Sequence, residues 1–126
     1  MAKKYKDLIL EPVPPVYNVA RRLRIQLNRS TQKAPVNDKR GIIAQTERAI
    51  TEIMKACVKA NRCPDTPELR AAFLEKASEL LIEVELNVRV MLDLNIMKPP
   101  GFDQMTRIAD DIRAQLYGWL KSTRQQ

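Results

Sequence analysis

LRAAFLEKASELLIEVELNVRVMLDL, residues 69–94, is the stretch that decides the fold. It contains neither Gly nor Pro and is rich in strong helix formers, so it predicts one unbroken helix. Thr66 is a predicted N-cap, Pro67 suits the first helical position, and Glu68 places negative charge at the positive end of the helix dipole. We therefore expect a long helix around which the rest of the chain packs.

This helix carries more apolar side chains than one buried stripe requires. A surface helix of a lone domain needs a single apolar stripe and a polar back. The predicted inward stripe, with its flanking row, comprises Leu69, Phe73, Ala77, Leu80, Leu81, Val84, Val88, Met91 and Leu92. Another face carries Ile82, Leu86 and Val90, which we assign to a subunit interface. A central helix covered by its own chain on both sides explains the pattern equally well.

Length and composition favour a single helical domain. The chain has 126 residues, enough for one core, with 5% aromatic residues and 3 glycines. Strand-rich domains rely on aromatic and β-branched residues and on glycine-bearing turns. No apolar run is long enough to span a bilayer, and no secretory segment follows the N-terminal Met-Ala-Lys-Lys. We expect a cytoplasmic protein that does not bind a membrane.

Three further helices are predicted, and prolines separate the four. Their expected bounds are Pro15 to about Arg29, an N-cap at Asn37 or Asp38 to about Ala60, and about Phe102 to Lys121, with breaks at Pro64 and at Pro99–Pro100. Their predicted inward faces are Val16, Val19, Ala20, Leu23 and Leu27; Ile43, Ile50, Ile53, Met54 and Cys57; and Met105, Ile108, Ala109, Ile112, Leu116, Trp119 and Leu120.

Four helices with short connections and no strand signal predict an all-α fold. The expected architecture is an antiparallel, up-down-up-down four-helix bundle over residues 16–122. A basic, Pro-rich lead (residues 1–15) precedes it, and a short tail (residues 123–126) follows it.

The residue types argue against an enzyme. The chain has no His, which removes the commonest general acid or base. It has no phosphate-binding Gly-rich loop and no nucleophile motif. Cys57 and Cys63, without further Cys or His, do not make a zinc site, and we interpret both as reduced thiols with Cys57 in the core. The sequence therefore predicts no catalytic residue, no metal and no cofactor.

The positive charge is concentrated in the first third of the chain. Residues 1–40 hold 10 basic and 3 acidic residues, whereas residues 41–126 hold 12 of each, so the net charge of +7 lies entirely in the first part. Such asymmetry favours a polyanionic partner, in particular nucleic acid. Ion pairing with an acidic helix of the same fold explains an Arg-rich helix equally well. The candidate nucleic-acid or polymerase surface comprises Arg21, Arg22, Arg24, Arg29, Lys39 and Arg40.

Two runs of sequence carry a family resemblance. The end of the last predicted helix, Ile112-Arg-Ala-Gln-Leu-Tyr-Gly-Trp-Leu-Lys-Ser122, resembles the Ile-x-x-x-Leu-x-Gly-Trp-Ile/Leu run that closes the accessory variability determinant family of diversity-generating retroelements. The runs Glu83-Val-Glu-Leu and Arg89-Val-Met-Leu-Asp-Leu are similar to that family's pattern in its third helix. The layout of residues 16–122 is also similar to four-helix-bundle proteins encoded in intervening sequences of large-subunit ribosomal RNA genes.

The resemblance implies a homopentamer of four-helix bundles forming a basic barrel. It implies binding to the retroelement's reverse transcriptase and to RNA or RNA/DNA, in support of mutagenic retrohoming. Gly118 costs its helix about 1 kcal/mol relative to Ala, which suits a site where another backbone packs closely, and we add it to the predicted subunit interface. The alternatives are a bundle protein of the intervening-sequence type that binds nucleic acid without a polymerase, and an oligomeric adaptor that binds only protein.

Overall fold

The computed structural model describes residues 13–63 and 65–126, and within these ranges helices are the only regular secondary structure. The predicted all-α class is confirmed. The predicted N-terminal lead up to residue 12 and the predicted break at Pro64 lie outside the described residues. The four main helices are α1 (Pro15–Ser30), α2 (Ala44–Asn61), α3 (Pro67–Asp93) and α4 (Pro99–Arg124). A single turn, Val36–Asp38, and a kinked segment, Lys39–Ile43, in which the backbone of Gly41 is not helical, lead into α2.

The four helices surround one core. Helix α1 packs against α2 and α4, and α3 packs against the same two helices, so α1 and α3 lie across the core from each other. The arrangement is a four-helix bundle. The predicted inward face of α1 is buried in full, as are all but three of the predicted inward side chains of α2 and α4; the three half-buried ones are Met54, Trp119 and Leu120.

The buried line of α3 differs from the predicted stripe in the first half of the helix. Leu69 is 44% exposed, and Phe73 and Leu80 are only half-buried. The prediction was wrong there because α3 packs between two helices. Apolar residues lie on both sides of its buried row, and hydrophobicity alone does not show which of them face the core. The residues that are buried follow one another at alternating steps of three and four, as in helices that cross at a small angle: Leu74, Ala77, Leu81, Val84, Val88 and Met91.

Helix α4 begins earlier than predicted. Pro99 and Pro100, expected to lie outside it, form its first turn. A proline is tolerated there because the N–H groups of the first turn have no partner within the helix. The preceding Lys98 is extended, and its carbonyl accepts a hydrogen bond from the Phe102 N–H at 3.0 Å.

The predicted side-chain caps do not form. Asn37 and Asp38 lie inside the first turn that leads to α2, and Pro35 takes the N-cap position without a side-chain hydrogen bond. Thr66 does take the N-cap position of α3, but its side chain makes no capping hydrogen bond. Pro67 takes the first helical position of α3, as predicted.

The turn after α3 fixes the direction in which the chain enters α4. Asn95 adopts the left-handed conformation, with φ of 61°, which Asn tolerates better than other non-Gly residues. The Ile96 N–H donates to the Met91 carbonyl at 2.8 Å and the Asn95 N–H to the Leu92 carbonyl at 3.1 Å, which is a Schellman motif. The turn therefore satisfies carbonyls that the helix end leaves free.

Close contact joins the start of α4 to the end of α1. A Cβ added at Gly101 would lie 2.8 Å from the Ser30 Oγ and 3.0 Å from the Ser30 Cβ. A side chain at this position would force Ser30 to move. The contact places the first turns of α4 beside the last turn of α1, and these two helices form the groove described below.

Candidate nucleic-acid interface

The arginines of α1 divide between two sides of the helix. Arg22 and Arg29 are seven residues apart, about two turns, and both face the groove between α1 and α4. Arg24 lies on the α2 side, where its Nη2 is 3.4 Å from the Glu47 Oε2. Arg21 is exposed. The six predicted basic residues therefore do not form one patch, and Arg24 is paired with a carboxylate within the fold.

The α1/α4 groove has a volume of about 500 Å³ and is lined mainly by polar and positively charged groups. Three guanidinium groups are set against one carboxylate, Asp111, which accepts a hydrogen bond from the Gln115 Nε2 at 3.0 Å. The lining residues are Arg22, Ile25, Gln26, Arg29, Gln104, Arg107, Ile108 and Asp111. The groove has the charge and the donor groups to hold an anion.

Arg107 of α4 is the groove arginine that sequence reasoning missed. It belongs to residues 41–126, where acidic and basic residues are equal in number, so it did not stand out as part of a basic cluster. The sequence does place Arg107 on the polar side of α4, one turn from Gln104 and one turn from Asp111, and this spacing could have indicated that the three side chains share a face. Only the packing of α1 against α4 brings it to the same groove as Arg22 and Arg29.

Positive charge continues from the groove to one end of the bundle. Arg29 also lines a cleft of about 480 Å³ that includes Lys33 and Lys98 from the two connecting loops. Lys39 and Arg40 are exposed in the kinked segment before α2 and line neither of these two clefts. The structure thus adds Lys33 and Lys98 to the basic surface and sets Lys39 and Arg40 apart from its main groove.

The predicted interface residues of α3 are exposed. Ile82, Leu86 and Val90 are 58%, 63% and 42% exposed, and Leu94, at 63%, extends the row by one more turn. We name these four side chains the α3 apolar row. The described residues of the chain do not cover them, so this part of the chain gives no support to burial of α3 on both sides within a single molecule.

Gly118 lies on the surface of α4. A Cβ added there would have no atom within 4 Å, apart from the neighbouring backbone of its own helix. No other described part of the chain therefore requires a glycine at this position.

Trp119 and the two cysteines have structural environments. Trp119 is half-buried against the core, and the Arg70 guanidinium lies over its indole. Cys57 is buried in the core, as predicted, and burial raises the pKa of its thiol to about 12. Cys63 is half-buried, and neither cysteine is in a disulfide. The Cys57 thiol is therefore protonated at neutral pH and unreactive while buried.

Within the described ranges, no helix has both the length and the apolar character needed to cross a membrane. Comparison with known proteins identifies no family: no family model matches the sequence, and no curated protein matches it either.

Proposed function

We propose that this protein is a non-enzymatic accessory protein of a diversity-generating retroelement, acting in the cytoplasm. It binds the element's reverse transcriptase and template RNA, and so supports mutagenic retrohoming. One observation carries the proposal. The groove arginines of α1 and the α3 apolar row lie on helices that face each other across the core. One molecule therefore has a basic surface for an anionic partner and a separate surface for an apolar partner.

The exposure of the α3 apolar row supports self-association through it. A contiguous apolar row on a soluble helix marks an interaction site, because burying it in a partner removes apolar surface from water. Packing of copies through α3 leaves α1 on the outside. Each copy then adds its arginines to a shared basic surface, and contacts that are weak singly add up across the assembly. The family resemblance implies that this assembly is a pentamer.

We infer the antiparallel order of the helices from cross-helix ion pairs. Glu75 of α3 pairs with Arg124 of α4, and further along α3 Glu85 pairs with Arg113. As residue numbers rise along α3 they fall along α4, which is the order expected for an up-down pair. Short connections between the remaining helices favour the same alternation.

Two measurements on the intact protein test the proposal. Native mass spectrometry is expected to give five copies per particle. Binding of the retroelement's template RNA, followed by fluorescence anisotropy, is expected to weaken steeply with salt, because bound phosphates release counterions. A monomer in dilute solution, or RNA binding that is indifferent to salt, would contradict it.

The polymerase is tested separately. A tagged reverse transcriptase from the same element is expected to retain the protein on a column after nuclease treatment. Retention that disappears with the RNA would limit the protein to RNA binding, as in the intervening-sequence alternative. Retention with no RNA binding at any salt concentration would favour an adaptor that binds only protein.

A further inference from the structure

We propose that the α1/α4 groove binds the phosphodiester backbone of a single RNA strand through Arg22, Arg29 and Arg107. This inference rests on the proposed RNA-binding function and gives it a location. It adds Arg107, from a part of the chain with no net charge, to the candidate residues of α1. Arg21, Lys39 and Arg40 do not line this groove, so we do not assign them to the main RNA contact.

The three groove arginines have no carboxylate partner among the described residues. Four other arginines are paired with carboxylates: Arg24 with Glu47, Arg89 with Asp93, Arg113 with Glu85 and Asp110, and Arg124 with Glu75. In the groove, one carboxylate faces three guanidinium groups, which leaves an excess of two positive charges. An anion that enters the groove can therefore bind these arginines without first breaking an ion pair.

The groove presents arginines from both of its walls. Arg22 and Arg29 come from α1 and Arg107 from α4. Seven residues of helix separate Arg22 from Arg29, a rise of about 10 Å, which is the length of about three nucleotide steps of a stacked strand. A single strand lying along the groove brings successive phosphates within reach of both walls. A duplex carries its phosphates on a wide, stiff cylinder and reaches both walls less readily.

The lining predicts recognition of the backbone rather than of the bases. Its apolar members are Ile25 and Ile108, and no aromatic side chain lines it. Proteins that hold single-stranded bases by stacking place aromatic rings beside them. Arginine forks instead match phosphate oxygens in shape and charge, and the amides of Gln26 and Gln104 supply further donors. We therefore expect little dependence on base sequence.

Charge-removing variants locate the site. Arg22→Gln, Arg29→Gln and Arg107→Gln each remove one groove charge and keep a helix-compatible side chain. Arg48→Gln is the matched control, because Arg48 is an exposed arginine of α2, which does not line the groove. Each groove variant is expected to lower the slope of log affinity against log salt by about 0.7, the value for one single-strand phosphate contact. The control is expected to leave that slope unchanged.

A variant that gains affinity makes the test independent of unfolding. Asp111→Asn removes the one carboxylate that faces the groove arginines and keeps an oxygen for the Gln115 amide. Its affinity for single-stranded RNA is expected to rise. A hairpin duplex of the same length, used as competitor, is expected to displace the strand less effectively than unlabelled single strand. Equal displacement would overturn the preference for a single strand.

The outcomes separate this inference from the proposed function. If the wild type and Arg48→Gln bind RNA with strong salt dependence and Arg107→Gln behaves in the same way, the groove is not the binding site, but the proposed RNA binding is retained. If the wild type binds no RNA at low salt, the proposed function itself fails. Arginine modification with phenylglyoxal, mapped by mass spectrometry, gives a direct readout: the RNA is expected to protect Arg22, Arg29 and Arg107 but not Arg48. Protection of Arg48 alone would overturn the groove.

Discussion

The guanidinium of Arg70 lies over the indole of Trp119, with 5.6 Å between the Arg70 Cζ and the ring centroid. The Arg70 Nε also donates a hydrogen bond to the Ala60 carbonyl at 2.9 Å. One side chain near the start of α3 therefore contacts the ends of both α2 and α4. Such a contact stabilises one end of the bundle and gives Trp119 a fixed environment.

Removing this side chain is expected to destabilise the fold. Arg70→Ala loses a cation–π contact and a charged hydrogen bond, together about 1–3 kcal/mol of unfolding free energy. Arg70→Lys keeps the charge but not the Nε bond, so it is expected to fall between wild type and Ala. Urea unfolding followed by the fluorescence of the single tryptophan measures both. An Arg70→Ala variant as stable as wild type would show that the contact contributes nothing.

Two glycines of α4 are expected to respond to alanine in opposite ways. Gly118→Ala fills open space and restores helix propensity, so the unassembled chain gains about 1 kcal/mol. Gly101→Ala forces a methyl group against Ser30, and overpacking of this kind costs about 1–3 kcal/mol, which offsets the same gain in propensity. Denaturant unfolding in dilute solution should order the variants Gly118→Ala, wild type, Gly101→Ala from most to least stable.

The Gly118 substitution also tests the predicted subunit interface. If another subunit packs against this glycine, Gly118→Ala weakens the assembly while it stabilises the single chain. Sedimentation over a range of protein concentrations separates the two effects. If the added methyl group does not affect the assembly, Gly118 does not belong to the subunit interface. The prediction of an interface would then rest on the α3 apolar row alone.

Local pattern was sufficient for most of the fold, but not for α3. Helix α1 has one apolar face with polar residues behind it, and the sequence alone identified all of that face except Tyr17, which is also buried. Helix α3 is apolar on several faces, so hydrophobicity could not decide between Phe73 and Leu74, or between Leu80 and Leu81, as the inward residue. The choice depends on how α2 and α4 sit on either side, and that is a tertiary property.

The candidate site shows the same limit. Arg22 and Arg29 could be selected from the charge of α1, but Arg107 could not, because its partners in the groove are about 80 residues away in sequence. The loss of Arg24 to an ion pair with Glu47 likewise requires knowing that α1 packs against α2. Periodicity gives the side of a helix on which a residue lies, and only the packing gives what lies opposite.

The α3 apolar row is expected to hold subunits together without holding the single chain together. Leu86→Glu places a charge where 63% of the side chain is exposed in the single chain, so folding is retained and self-association is lost. Val36→Glu is the control, because Val36 is also exposed, at 59%, but lies in the turn before α2. Native mass and circular dichroism check both variants. Loss of helix content in Leu86→Glu would mean that the side chain has a role within the fold.

Releasing Arg24 from its partner is expected to strengthen RNA binding. In Glu47→Gln the Arg24 guanidinium loses its carboxylate partner and becomes available to phosphates. The ion pair is partly exposed, so its loss changes stability by no more than about 1 kcal/mol. RNA titrations at several salt concentrations should show tighter binding and a steeper salt dependence than wild type. Unchanged binding would place Arg24 outside the RNA surface.

The buried Cys57 thiol is expected to make stability fall at high pH. Burial raises its pKa from 9.0 to about 12, so the unfolded chain releases the proton first and stability declines as pH rises above about 9. Between pH 8 and pH 10 this contribution is about 1.4 kcal/mol. Cys57→Ala should show a correspondingly smaller decline in urea unfolding. Equal declines in wild type and Cys57→Ala would show that other groups dominate.

The residues around the start of α1 share a cleft with the last turns of α4, since Val13 to Val16 line it together with Gln115 and Trp119. Handles attached at residues 13 and 124 would therefore pull from one end of the bundle. Under tension, the contacts between α1 and α4 would break one helical turn at a time from this end, instead of all together. Joining these two positions through a short linker and opening the chain between α1 and α2 should also give a circular permutant that keeps the same core.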